Sequence, residues 1–320
     1  MTQVQALQLI QDDDIDWEKY MQESEPQMKV RGIESWTPMM VNQFHGHEDE
    51  GVQGAKLPWG VTQDGLRFRS GEITLWLGIN GHGKSQLLNQ ACLGFAAQNE
   101  SVCIGSFEMP PSKNIPRMLR QLSMTNRPAQ DYIHKMMSWL KGKVWIYDHL
   151  GSVKAEQLYA VIRYCHRELK IKHFVIDSLM KCVRAEDDYN GQKEFIDTLC
   201  RLARECEMHI HLVHHSRKKE NERDMPGKFD AKGSGAIIDQ VDQLITVWRN
   251  KPKETEVKKC RDRGAAVPDE ILKKCDAMLI CDKNRHGDWE DHAFLWFDPA
   301  SLQYTSDSRR KPMDFMRVAK

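Results

Sequence analysis

The chain has 320 residues, 46 Lys plus Arg against 46 Asp plus Glu, 40% hydrophobic and 29% charged residues. This suits a globular chain with a core, and the charge balance excludes a uniformly basic polyanion binder, so any nucleic-acid surface has to be local. There is no apolar run near the roughly 20 residues of a membrane span, no signal peptide and no Cys-x-x-Cys pair among nine cysteines, which points to reduced thiols and a cytoplasmic setting without a membrane.

Residues 1–60 read as an N-terminal arm and linker. "QDDDIDWEKYMQESEP" (11–26) is acidic and suits a short amphipathic helix, while "NQFHGHEDEGVQGAKLPWG" (42–60) is polar and Gly-rich and shows no core of its own. From about Leu66 to Pro299 strand-like and helix-like segments alternate. Strands are expected at "EITLWLG" (72–78), "SVCIGSF" (101–107), "KVWIYDH" (143–149), "KHFVIDS" (172–178), "HIHLVHH" (209–215), "DQLITVW" (242–248), "AMLICDK" (277–283) and "AFLWFD" (293–298). Helical periodicity fills intervals such as 85–98, 152–169 and 191–206. Alternation of this kind predicts an α/β fold with a mainly parallel sheet flanked by helices, over residues 61–305. Residues 251–275 form a charged insertion between two strands, and the basic tail 306–320 is expected to be flexible.

The most informative stretch is "GINGHGKS" (78–85), which satisfies the phosphate-loop pattern Gly-x4-Gly-Lys-Ser between an expected strand and an expected helix. Gly78, Gly81 and Gly83 let the backbone approach an anion, and successive N–H groups then point at phosphate oxygens. Lys84 can reach the outer phosphates, and the Ser85 hydroxyl can ligate Mg²⁺. His82 has no required role in the pattern and reads as a tolerated loop residue, counted with Gln86 among the nucleotide-binding positions. The implied substrate is ATP or another nucleoside triphosphate, with Mg²⁺ as cofactor.

In a parallel sheet, ligands sit beyond the carboxyl ends of the strands. Asp177 ends "HFVID" and is the candidate second metal position. Glu108, after "CIGSF", is the candidate base or water-orienting group, and His214 or His215 could hydrogen-bond a phosphate. His209 and His211 share one strand face without zinc-site spacing and read as packed or surface histidines. "KFDAKGSGAI" (228–237) places Lys228 and Lys232 beside Gly233, Ser234 and Gly235, whose amides could hold a phosphodiester.

The order "GINGHGKS", "SFEMP", "FVIDS", "LVHHSRK", "AKGSGAI", "CDKNRHG" resembles the RecA-like motor domain of hexameric replicative helicases of the DnaB type, and is closer still to the Twinkle and phage primase-helicase branch. The resemblance spans about residues 55–300. It implies a catalytic role for Glu108 and Lys84, a metal role for Ser85 and Asp177, and phosphate sensing by His215. It further implies that Arg285, with Lys283, is an arginine finger acting on a neighbour's site, and that Arg249 and Phe297 sandwich the nucleotide base. Lys232, Gly233, Ser234 and Gly235 match a loop gripping single-stranded DNA, with Lys228 in the basic stretch beside it, although the family usually has Arg where this chain has Lys232.

The implied activity is an NTP-dependent DNA helicase, a hexameric ring unwinding forked duplex DNA beside a separate primase or polymerase. The alternative on the same fold is a recombination or repair ATPase that binds single-stranded DNA without unwinding it. Neither a primase region nor a DnaB-type N-terminal domain fits in about 60 residues, which favours a phage or mobile-element source and leaves the acidic arm as a candidate for docking on a neighbouring subunit.

Overall fold

Strand β2 (Ile73–Gly78) is buried at every position, as its unbroken apolar run requires of a strand covered on both faces. It lies inside a ten-stranded sheet ordered β1-β4-β3-β5-β6-β2-β7-β8-β9-β10. The other strands are β1 (Gln8–Ile10), β3 (Val102–Ser106), β4 (Val144–Tyr147), β5 (His173–Asp177), β6 (His209–His215), β7 (Gln243–Arg249), β8 (Ala277–Asn284), β9 (His292–Asp298) and β10 (Gln303–Thr305). The computed structural model describes residues 8–21, 33–38, 40–41, 54–63, 65–183, 188–216 and 235–318. From β1 to β7 every pairing is parallel, while β7–β8, β8–β9 and β9–β10 are antiparallel.

Parallel neighbours need long crossovers, and helices supply them. Helix α2 (Lys84–Ala97) follows β2 and is buried along almost its whole length. Together with α3 (Pro111–Ser123) and α4 (Gln130–Leu140) it covers one face of the sheet. The opposite face is covered by α1 (Trp17–Met21), α5 (Ala155–Arg167), α6 (Tyr189–Glu205) and α7 (Gly235–Gln240). Helix α6 starts where the Asp188 side chain accepts from Gly191 N at 2.9 Å, and its residues 195, 196, 199, 202 and 203 form the buried stripe.

Three segments near the chain ends pack on the sheet where they are described. Residues 54–60 are no free linker, because Leu57 and Trp59 are fully buried and Trp59 Nε1 donates to Tyr304 O at 2.9 Å. Residues 8–21 pack on the sheet: β1 extends it beyond β4, Ile10, Ile15 and Tyr20 are buried, and Tyr147 Oη donates to Asp12 at 2.8 Å. The tail is also packed, since α10 (Phe315–Val318) buries Phe315 in the core under α2, and Gln303 Nε2 donates to Met313 O at 2.9 Å. The charged insertion is a helical hairpin, α8 (Lys251–Asp262) and α9 (Asp269–Lys273), joining two antiparallel strands that a short turn could have connected.

The histidines of β5 and β6 are core residues. Trp76 Nε1 donates to His211 Nδ1 at 3.2 Å, so the His211 proton sits on Nε2, which faces His173 Nδ1 at 3.2 Å. His209 bonds to Thr74 Oγ1 and Arg69 O at 2.8 and 2.6 Å. Burial holds all three below the ordinary histidine value, His209 at about 3.

Two outcomes are expected. Trp59→Ala should cost about 3–5 kcal/mol in denaturant unfolding, whereas a free linker would lose nothing. The three histidines are neutral when folded and protonate near pH 6.5 when unfolded, so their contribution is complete above that value and declines as pH falls from 6.5 towards 3. The thermal midpoint should therefore drop between pH 7 and 5, and calorimetry across that range checks it.

Candidate functional site

The parallel register brings five strand ends to one edge of the sheet. Ser106 pairs with Asp177, and Gly78 with His215, so the carboxyl ends of β3 and β5 stand level, those of β6 and β2 reach two residues further, and Arg249 ends β7 beside them. A cleft of about 1360 Å³ opens there. Its lining includes Gly81, Gly83, Lys84, Ser85, Gln86, Glu108, Asp177, His215, Arg249 and Phe297, which the sequence had placed in one site.

The loop from β2 to α2 turns through Gly81 at φ +80° and Gly83 at φ +85°, both left-handed. At Gly83 a Cβ would also stand 2.5 Å from Tyr304 Oη, and at Gly78 one would stand 2.5 Å from Val247 O, so both need glycine. Gly78 itself lies at the end of β2 behind the loop and does not line the cleft. Lys84 is buried and donates to Gly78 O at 2.7 Å and Ile79 O at 3.1 Å, so its ammonium is held at the loop. Burial lowers its pKa to about 8, against the pull of Asp177 and Glu108.

Ser85 Oγ donates to Asp177 Oδ2 at 2.6 Å. Burial pushes the Asp177 carboxyl up, with the Ser85 hydrogen bond opposing it. Two adjacent hard oxygen donors, one a buried carboxylate in need of positive charge, fit a divalent cation such as Mg²⁺. Glu108 accepts from Ser178 Oγ at 2.7 Å and lies 3.5 Å from His215 Nε2. The His215 contact chiefly holds its pKa down at about 2, so it is an ionised carboxylate at neutral pH. The other ring nitrogen of His215, Nδ1, has no hydrogen-bond partner among the described residues.

His82 is corrected from a nucleotide-facing position. It is buried, stays out of the cleft lining, and its Nδ1 accepts from Arg249 N at 3.2 Å, tying the loop to the end of β7. Arg249 lines the cleft, donates to Gly81 O at 3.2 Å and pairs with Glu254 of α8. Lys283 and Arg285 lie elsewhere. Lys283 Nζ donates to Ile238 O and Asp239 O at 2.8 and 3.1 Å, and Arg285 binds Asp239 O and Asp242 at 2.6 and 3.0 Å. Asp242 stands at the amino end of β7, so Arg285 is roughly 20 Å, one strand length, from the cleft. Lys228, Lys232, Gly233 and Ser234 lie outside the described residues, and Gly235 is the first residue of α7.

A family model described as an AAA domain matches residues 62–221, half of the chain. The chain belongs to this AAA-domain family. Among solved structures, one described as an ATPase domain is similar with a TM-score of 0.67 at 15% identity, covering 87% of this chain and 99% of that one. A DnaB-like replicative helicase, described with its interactions with primase, is similar with a TM-score of 0.65 at 15% identity, covering 86% and 67% of the two chains. These likenesses establish a RecA-like ATPase fold for this AAA-domain chain. No helix among the described residues is long and apolar enough to cross a membrane.

Several cleft residues escaped sequence reasoning. Ser178, buried behind the cleft against Glu108, had a signal, as the hydroxyl directly after Asp177 at a strand end. Tyr304, Arg117 and Arg120, and the α8 residues Lys253, Glu254, Val257, Lys258 and Arg261, had none, because they reach the cleft only through the packing of distant segments.

The titration of Lys84 is testable. Its charged form is the one that attracts phosphate, so affinity for a triphosphate should fall as pH rises past about 8, by up to roughly tenfold per pH unit. Binding isotherms between pH 7 and 9.5 check this, and a flat profile would show that the Lys84 charge does not limit binding.

Proposed function

We propose that this AAA-domain chain is the motor of an NTP-dependent replicative DNA helicase, working as a ring on single-stranded DNA and opening forked duplex. The observation that carries the reading is the separation of Arg285 from the cleft. Glu108, Asp177, His215 and the phosphate loop gather at the carboxyl edge of the sheet, while Arg285 sits against Asp242 at the amino end of β7. An arginine roughly 20 Å from its own site can serve only a neighbour's site, which calls for a closed or filamentous assembly. The fold likeness to a DnaB-like replicative helicase favours the ring over the filament, and that protein's described interactions with primase suggest a separate primase as partner.

The mechanism follows from the side chains. Backbone amides of Gly81–Ser85 and the Lys84 ammonium bind the phosphates. Ser85 and Asp177 would hold Mg²⁺, which neutralises charge developing on the β- and γ-phosphates when bound. Glu108, ionised and steered by Ser178 and His215, orients and deprotonates the attacking water. Arg285 of the adjoining copy stabilises the transition state, a contribution worth roughly 10³–10⁵ in rate in other nucleotide hydrolases. His215 connects Glu108 to the end of β6, directly before the segment that carries Lys228, Lys232, Gly233 and Ser234. It is thereby placed to pass the loss of the γ-phosphate to the strand-gripping loop, whose hold on DNA should be mainly electrostatic.

The test is unwinding of a forked DNA duplex with ATP and Mg²⁺. Wild type should separate the strands. Arg285→Ala and Glu108→Gln should each lose DNA-stimulated hydrolysis by a thousandfold or more. Mixing the two variants should restore part of the activity, because some interfaces then pair an intact Glu108 with an intact Arg285. Hydrolysis without strand separation would favour the recombination-type ATPase, and failure of the mixture would argue against shared sites.

A further inference from the structure

The proposed nucleotide reading leaves one wall of the cleft without a role. That wall combines Tyr304 of β10 with the helical hairpin α8–α9. Tyr304 is 4% exposed, yet it lines the cleft. Its backbone is locked, since Gln90 bonds to both its N and O, and Trp59 donates to its O. Its ring packs on its cross-strand partner Phe297, with centroids 5.1 Å apart. Its hydroxyl stands against Gly83 at the start of α2, where no Cβ could fit. That hydroxyl has no hydrogen-bond partner among the described residues, although the charges of Arg249, Glu254 and Asp276 act on it. On a residue that lines the cleft, a hydroxyl without a protein partner is open to a hydrogen bond from a ligand atom.

The hairpin stands across the cleft from the loop. Asn250 caps α8 by accepting from Lys253 N at 3.0 Å. Lys253 is buried on Asp276 at 2.6 Å, and Arg310 reaches the same carboxylate at 3.0 Å, so the root of the hairpin is fixed. Val257, one helical turn beyond Lys253, faces the cleft, as do Phe297 and Leu302. A cleft of about 1360 Å³ exceeds the roughly 1,000 Å³ upper range of ordinary ligand pockets, so it has room beyond the phosphates. Among the charged side chains of that wall, Lys253, Glu254, Lys258 and Arg261, the residues Val257, Phe297, Leu302 and Tyr304 offer an apolar strip of the kind a sugar or base packs on.

We propose that Tyr304 is the nucleoside-reading residue of this site: its hydroxyl hydrogen-bonds the sugar or base of the bound triphosphate, and the hairpin is the wall that holds the nucleoside against it. Tyr304→Phe removes only the hydroxyl and keeps the ring on Phe297. The probes are ATP, 2′-deoxy-ATP, GTP and inorganic tripolyphosphate, titrated with Mg²⁺ into the full chain. The variant should bind ATP roughly three- to tenfold more weakly and tripolyphosphate as wild type does. If the sugar is read, wild type discriminates ATP from deoxy-ATP and the variant does not. If the base is read, the lost discrimination is between ATP and GTP.

Val257→Trp, which narrows the cleft without touching Tyr304, should weaken all three nucleotides and spare tripolyphosphate. Thermal midpoints of both variants establish that they fold. Unchanged ATP affinity in Tyr304→Phe, or an equal loss for tripolyphosphate, would overturn the proposal while leaving the motor reading intact. A wild-type chain that binds neither ATP nor tripolyphosphate would overturn both.

Discussion

The parallel register of β3, β5, β6, β2 and β7 is the constraint on which the site depends. Each strand spends its length in the core and delivers one chemically active residue where it emerges. The levels match, Ser106 beside Asp177 and Gly78 beside His215, so a shift of one residue in any pairing would turn a carboxylate or imidazole away from the cleft. The buried apolar strands thus bring the phosphate loop and the groups around it to one edge, and contacts such as Arg249 N to His82 and Ser178 to Glu108 fix them there.

Electrostatics at that edge are arranged for a charged ligand. Lys84 is held as a strained cation by burial, and Asp177 is a carboxylate whose charge burial disfavours. Glu108, only partly buried and hydrogen-bonded by Ser178 and His215, keeps its charge to low pH. Three ionisable groups within one cleft are therefore driven in different directions by different surroundings, as sites of acid–base and phosphate chemistry are. On the proposed reading, a polyanion with a divalent cation satisfies the first two and leaves the third to act on water.

The segments that looked peripheral close the cleft. Trp59 and Gln90 hold the backbone of Tyr304, Gln86 and Gln121 hold Leu302 O at 2.7 and 3.1 Å, and Arg120 holds Pro299 O at 2.7 Å. The tail adds Arg310 to the buried pair of Lys253 and Asp276. Breaking such a pair on one side leaves an uncompensated charge, which makes the root of the hairpin stiff. The β9–β10 turn is in this way held by the helices beside the phosphate loop, and the hairpin and the tail meet at Asp276.

Eight strands, the crossover helices and the phosphate loop were legible in the sequence because each depends on local pattern: unbroken apolar runs, helical spacing, and glycines around a lysine. Glu108, Asp177 and His215 were legible for the same reason, as polar residues that end apolar strands in a parallel sheet. Strands β1 and β10, three residues each, have too little length for any period and form only because β4 and β9 offer free edges. His82 looked like a loop residue until Arg249, distant in sequence, was seen to donate to it. The tail and the linker read as polar because their apolar anchors, Phe315 with its methionine neighbours and Leu57 with Trp59, form clusters too short to show a period. The sequence alone determined the fold class and the phosphate-loop pattern, since both rest on short-range pattern. Only the tertiary structure decided what walls the cleft and how far Arg285 stands from it, since both depend on contacts between residues separated by tens to hundreds of positions.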